Sequence, residues 1–332
     1  MIIHLKEGIA ENKVAEIADA VEALCFFDGI THVLVNSSKV KAVPSHFEEF
    51  VDQQFIFDSD IQLASRDYLK ETRPIQIGKN QVGSKSINTL MITGPCSVES
   101  QEQIEACAAF NQSLGISVLR AGCFKPRTSP YTFQGMGEEG LALLAEMRAK
   151  YGLQIISEIR DASHADEVIN AVDIVQVGAK AMYDQGILRK CGESGKPVLL
   201  KRGFGATLQE FVQAAEFILS LGNGQVILCE RGIRTFETKT RFTIDLCGVA
   251  YLKEHVNLPV FLDPSHAMGY AYGVPDLTRA CVAMGIDGLL IESHPDPSSA
   301  LSDASQQLDF ESFGKLFETL PGIANTIGRN MI

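Results

Sequence analysis

An α/β fold, a TIM-type (β/α)8 barrel preceded by a small ferredoxin-like α+β domain, is what three features of this chain predict. The first is a unit that repeats from Thr89 onward: a short apolar strand, a loop rich in glycine or polar residues, then a stretch of helical apolar periodicity. The second is the count. Eight such strands in about 240 residues fit a closed parallel barrel, whose strands are covered on both faces and so read as near-continuous apolar runs. The third is a β-α-β-β-α alternation compressed into the first seventy-odd residues. A doubly wound sheet would show fewer strands and a glycine-rich phosphate fingerprint, which this chain lacks.

Taken in order, 1–5 reads as a strand, 12–24 as an amphipathic helix, 31–36 as a strand, 39–43 as a third strand and 45–54 as a helix. His4, His32 and His46 in this part have no companions at metal-ligand spacing and read as surface or packing histidines. The polar stretch 59–85 reads as the connection. The expected division is therefore 1–75 for a regulatory or assembly domain and 76–332 for the barrel, with the linker near its start. Barrel strands are expected at 90–93, 117–120, 154–157, 174–177, 197–201, 225–229, 259–262 and 288–291. Helical stretches are expected at 100–114, 138–151, 208–221 and 274–284.

A formal net charge of -12 argues against general affinity for nucleic acids or anionic membranes. No apolar run approaches the roughly 20 residues that span a bilayer. The N-terminal residues lack the pattern of a signal peptide, and the eight cysteines are scattered with no CxxC pair. A cytoplasmic, reducing setting is the expectation. Cys25, Cys107, Cys191, Cys229, Cys247 and Cys281 are expected to be packing residues, while Cys123 falls near the site without an assigned role.

The chemistry of a TIM barrel sits at the C-terminal strand ends. There this acidic chain gathers Arg120, Lys125, Arg127, Lys180, Lys201, Arg202, Arg231 and Arg234, eight of its 29 basic residues. Two or three of them are expected to do no more than pair with neighbouring carboxylates, Arg231 with Glu230 or Glu292 for instance. The remainder form an anion site large enough for two anionic groups. Cys96, His266, Glu292 and Asp303 come from the first, seventh and eighth strand ends and the loop beyond. One thiolate, one imidazole and two carboxylates suit a divalent transition metal, with no choice between Mn, Fe, Co and Zn.

At these residues the sequence resembles the 3-deoxy-D-arabino-heptulosonate 7-phosphate (DAHP) synthase family, in the type I-beta form with a ferredoxin-like domain ahead of the barrel. The likeness rests on Gly94-Pro95-Cys96-Ser97-Val98-Glu99, Arg120-Ala121-Gly122, Lys125-Pro126-Arg127-Thr128-Ser129-Pro130 and Gln134-Gly135. It continues through Leu200-Lys201-Arg202-Gly203, Cys229-Glu230-Arg231-Gly232, Asp263-Pro264-Ser265-His266 and Leu301-Ser302-Asp303. The resemblance implies condensation of phosphoenolpyruvate with erythrose 4-phosphate, the first step of aromatic amino-acid synthesis. It implies that Cys96, His266, Glu292 and Asp303 hold the metal, and that Arg120, Lys125, Lys201 and Arg231 hold phosphoenolpyruvate. Arg127, Thr128 and Ser129 would then bind the aldose phosphate. A metal-bound water, Lys125 and Glu158 stand as alternatives for moving protons. A homo-oligomer, tetrameric by preference, and an aromatic amino-acid effector are likewise implied.

Two departures keep other readings open. Family members usually carry Gly-Ala-Arg where this chain has Gly178-Ala179-Lys180, and lysine lacks the bidentate fork for phosphate. Ala267-Met268-Gly269-Tyr270-Ala271-Tyr272 replaces the usual glycine and basic residues. One alternative is a paralogue acting on a different aldose phosphate, resembling octulosonate 8-phosphate synthases. The other is a non-catalytic anion-binding barrel.

Overall fold

The computed structural model describes residues 1–125 and 129–332. The N-terminal part is an antiparallel sheet of β1 (Ile2–Leu5), β2 (Leu24–Phe27), β3 (His32–Val35) and β4 (Val51–Phe55), in the order β2-β3-β1-β4. This is the order and direction of a split β-α-β domain. Helix α1 (Glu11–Ala20) turns Val14, Ile17 and Ala18 onto Ile3, Leu5 and Leu34 of the sheet.

Local assignments here differ from expectation. The helix stops at Ala20, because Leu24-Cys25-Phe26-Phe27 pairs residue for residue with β3. No strand forms over 39–43, and the expected helix over 45–54 is a 3-10 turn, Ser45–Phe50, running into β4. The mainly polar Val51-Asp52-Gln53-Gln54-Phe55 lacks strand character of its own and is ordered by its ladder with β1. Cys25 and Cys247 are exposed rather than packed, and all eight cysteines are free.

The stretch 59–85 is more than a polar connection. It contains a hairpin of β5 (Ile75–Ile77) and β6 (Asn80–Val82), and Ile75, Ile77 and Val82 join the apolar cluster inside the barrel. The hairpin thus plugs the barrel interior from the side away from the site. Just upstream, backbone N–H groups of Gln62, Leu63 and Ala64 donate to the Glu216 carboxylate, at 2.7, 3.2 and 2.8 Å.

Eight parallel strands follow: β7 (Asn88–Gly94), β8 (Val118–Arg120), β9 (Gln154–Ile159), β10 (Ile174–Val177), β11 (Val198–Lys201), β12 (Val226–Glu230), β13 (Val260–Leu262) and β14 (Gly288–Glu292). Each pairs with the next, and β14 returns to β7 with Gly288 opposite Leu90 and Glu292 opposite Gly94, which closes the barrel. β15 (Asn330–Met331) adds alongside β7. Around the barrel lie α2 (Gln101–Ser113), α3 (Glu138–Tyr151), α4 (Ala165–Ala171), α5 (Gln185–Glu193), α6 (Leu208–Leu219), α7 (Leu246–His255), α8 (Pro264–Met268), α9 (Val274–Ala283) and α10 (Phe310–Thr326). Among the described residues no helix is long and apolar enough to cross a membrane.

The two-residue period of the strands sorts the core. Met91, Leu119, Ile155, Val175 and Leu289 face the helices, whereas Leu90, Ile92, Val118, Ile156, Ile174, Leu199, Ile227, Phe261 and Leu290 fill the interior.

Candidate active site

The same period builds the site. Two residues beyond the last interior side chain of seven of the strands, the inward position turns polar: Arg120 after Val118, Glu158 after Ile156, Gln176 after Ile174, and Lys201 after Leu199. Arg231 follows Cys229 in this way, Asp263 follows Phe261, and Glu292 follows Leu290. The first strand ends differently. Gly94 has φ 146°, and a Cβ there would lie 2.3 Å from the Arg120 carbonyl oxygen, so only glycine lets the chain turn Cys96 into the barrel mouth.

These groups surround a cavity of about 370 Å3 at the C-terminal mouth. Lys125, Glu158, Lys180, Lys201, Arg231, His266 and Asp303 line it, joined by Arg234, Arg241, Phe204 and Phe242. Cys96, Arg120 and Glu292 lie buried beneath it. Ligand atoms of Cys96, Glu292 and Asp303 fall within 4.8 Å of one another, and His266 Nε2 sits 3.5 Å from Glu292 and 3.9 Å from Asp303. The fold thus brings together the four residues expected to form a metal centre.

The donor chemistry suits a divalent cation. Burial, reinforced by Glu292, pushes the Cys96 thiol up to about 11 despite the pull of Lys125, so a cation is what would favour its thiolate. Burial also lowers the His266 pKa, although Asp263 and Glu292 oppose this, and a neutral imidazole is the form that ligates. Asp263 Oδ2 lies 2.7 Å from His266 Nδ1. It also accepts from Lys201 Nζ at 2.6 Å. Burial alone would raise the Asp263 pKa, but His266 and Lys201 hold it well below the carboxylate range. Opposing burial in the same way, His266 and Arg120 lower the pKa of Glu292.

Asp303 is presented by a loop with left-handed backbone (φ 47°), a conformation that costs a non-glycine residue about 1 kcal/mol or more. Side chains hold that loop in place. The Ser97 and Ser302 hydroxyls meet at 2.5 Å, Gln307 accepts from the Cys96 N–H at 2.9 Å, and Gln307 Nε2 donates to the Ser302 carbonyl. Gln306 Nε2 donates to Glu292 at 2.5 Å and to Asp303 at 3.4 Å, and Gln306 itself accepts from Arg241 at 2.6 Å.

The basic residues divide into two groups. Arg120 donates to Glu292 at 2.7 Å and to Gln176 at 3.1 Å, and lies 3.5 Å from Glu158. Arg202 pairs with Glu230 at 3.0 Å and Asp245 at 2.8 Å, so Glu230 and Glu292 engage Arg202 and Arg120 rather than the expected Arg231. Arg231 instead keeps a buried Nη1 without a hydrogen-bond partner among the described residues. Lys125 Nζ lies 3.1 Å from Cys96 Sγ; burial disfavours its charge, but Cys96, Glu158 and Glu292 together outweigh this and its pKa is raised.

Arg127 and Thr128 lie outside the described residues. Ser129 is not among the residues lining the cavity, and its Oγ accepts from the Tyr131 N–H. Tyr270 and Tyr272 stack at 5.9 Å and 18° but do not line the cavity either. Gln176, Gln306 and Arg241 were missed in the sequence. A polar residue at an inward strand position marks Gln176, while Gln306 and Arg241 belong to loops that carry no periodic signal.

A basic cavity over a cysteine, histidine and carboxylate cluster at the mouth of a closed barrel defines a class: TIM-barrel enzymes that act on anionic substrates and have a donor set for a metal. Within it, the chain belongs to the DAHP synthetase I family, whose model matches residues 69–326. It is 38% identical to the phospho-2-dehydro-3-deoxyheptonate aldolase of Thermotoga maritima, over 99% of each chain. The crystal structure of that Thermotoga maritima DAHP synthase superposes with a TM-score of 0.81 at 38% identity, covering 100% of this chain and 99% of the other. A 2-dehydro-3-deoxyphosphooctonate aldolase of Stenotrophomonas maltophilia is 32% identical, over 69% of this chain and 89% of its own.

Proposed function

We propose that the chain is a metal-dependent transferase, a 3-deoxy-7-phosphoheptulonate synthase. It condenses phosphoenolpyruvate and erythrose 4-phosphate to DAHP and phosphate, opening the shikimate route to aromatic amino acids. The observation that carries this reading is one cavity with Lys125, Lys180, Lys201 and Arg231 on its walls and Cys96, His266, Glu292 and Asp303 at its base. In bond terms the enol carbon of phosphoenolpyruvate attacks the aldehyde carbon, water adds at its second carbon, and the phosphate leaves. A divalent cation held by the four ligands would supply Lewis-acid polarisation of the aldehyde oxygen.

The chain's own groups do the rest. Lys125, Lys201 and Arg231, with Arg120 below, hold the trianion and balance the charge that develops as the enol reacts. Lys180 offers a point charge where a fork is usual. Lys125 and Glu158 line the cavity, which supports them as side chains that exchange a proton with the reacting atoms. Arg127, Thr128 and Ser129 are assigned to the aldose phosphate on the resemblance of their loop alone.

The octulosonate reading is weakened by its partial match and by Tyr270 and Tyr272 lying away from the cavity. Residues 1–75 are assigned to regulation or assembly, with a homo-oligomer, tetrameric by preference, and an aromatic amino-acid effector; undiminished turnover in saturating phenylalanine and tyrosine counts against that effector. The function is tested with four- and five-carbon aldose phosphates, phosphoenolpyruvate and added Mn, Fe, Co or Zn, identifying the product by mass. Turnover with erythrose 4-phosphate is expected, and its absence alongside turnover of a pentose phosphate would overturn the assignment.

A further inference from the structure

Phe242 and Phe204 are apolar intrusions in a cavity otherwise built for anions. The Arg231 guanidinium lies over the Phe242 ring at 4.4 Å, and Phe204 stacks against the same ring at 5.5 Å and 24°. Arg234 in turn lies 4.4 Å over Phe204. Phe242 is itself fixed from the metal side of the site. Its N–H donates to the Ala267 carbonyl, one residue beyond His266, at 2.9 Å, and Thr243 bridges to Ile233 on the strand-end segment that carries Arg231.

Arg231 is 4% exposed, yet its Nη1 has no hydrogen-bond partner among the described residues. The related arginines Arg120 and Arg202 are oriented by carboxylates. An arginine stacked on a ring keeps its in-plane N–H groups free for a ligand, whereas one clamped by a carboxylate has spent them. We infer that Phe242 is a positioning residue, which holds the Arg231 guanidinium by its face so that its unpartnered N–H edge is presented to phosphoenolpyruvate. Phe204 supports the ring from its own stack. The inference rests on the proposed assignment of Arg231 to phosphoenolpyruvate and extends it.

The test uses the full-length, metal-loaded protein. Phe242→Leu removes the π face, and Phe242→Tyr keeps it. KM for phosphoenolpyruvate is expected to rise about tenfold in the leucine variant and return to within about twofold of the parent in the tyrosine variant. KM for the aldose phosphate and kcat are expected to stay near the parent values. Calorimetric titration with phosphoenolpyruvate alone should give the same ratio without turnover. Phe242→Met, which keeps apolar bulk without a ring, replaces the leucine variant if that one does not fold. An unchanged phosphoenolpyruvate affinity in the ring-less variants, with a loss in Arg231→Ala, overturns this inference and leaves the assignment of Arg231 standing. Unchanged affinity in Arg231→Ala overturns both. Equal losses in the leucine and tyrosine variants would mark a packing role and overturn the inference too.

Discussion

Gln306 is the residue whose importance is least evident from its neighbours in the sequence, because a loop glutamine beside Gln307 and Leu308 has no pattern to stand out from. In space its amide binds both carboxylates among the four proposed metal donors and is oriented by Arg241. Partners of this kind fix ligand geometry, and their loss typically weakens a metal site 10- to 100-fold. Gln306→Leu is therefore expected to lower metal affinity by about that factor, read by titration with Mn against a chelator, while Cys96→Ala and His266→Ala purify with little or no metal. Parent metal content in both ligand variants would refute ligation; parent affinity in the glutamine variant would refute its orienting role. The four proposed donors were legible as candidates, since each stands at a strand end or in a motif. The side chains that support them were not, because contacts such as Gln306 to Glu292 across 14 residues and Gln307 to Cys96 across 211 leave no local trace.

The strands carried the strongest signal of any element, and for a physical reason. Buried on both faces, they are apolar along most of their length, and all eight fall within about two residues of the expected positions. Short elements ordered only by partners were misread, as β4 and the β5–β6 hairpin illustrate. The β13–β14 pair makes a further test at this scale. Phe261 stands opposite Gly288, and its ring occupies the space a Cβ at 288 would need, with Cε2 only 2.3 Å away. The ring fills the barrel interior that Ile92 and Leu290 also line. Gly288→Ala must push Phe261 into a packed core and is expected to destabilise the protein by about 1–3 kcal/mol. Phe261→Leu in the same chain should recover part of that loss. Denaturant unfolding of both would decide, and an alanine variant as stable as the parent would show that the interior has room to yield.

At the scale of the molecule, the way the N-terminal part is tied to the barrel could not have been read from the chain. Glu216 sits in the amphipathic pattern of α6 as an ordinary polar position, yet it clamps three consecutive backbone N–H groups of the preceding segment. Burial pushes its carboxyl up to about 7, although those N–H groups and Arg73 pull the other way. An unfolded glutamate loses its proton near 4.5, so between that pH and about 7 the folded protein binds more protons than the unfolded chain. Stability contributed by this group is therefore fully present below about 4.5 and declines as pH rises through 7, by no more than about 3 kcal/mol. Glu216→Gln imitates the protonated acid and does not titrate. The Tm of the parent minus that of the glutamine variant is expected to fall steadily between pH 5 and 8, with phosphoenolpyruvate affinity unaffected because Glu216 does not line the cavity. A difference in Tm that stays constant over that range would mean the clamp is charged throughout, held so by its backbone donors, and would overturn the pH dependence while leaving the contact itself in place.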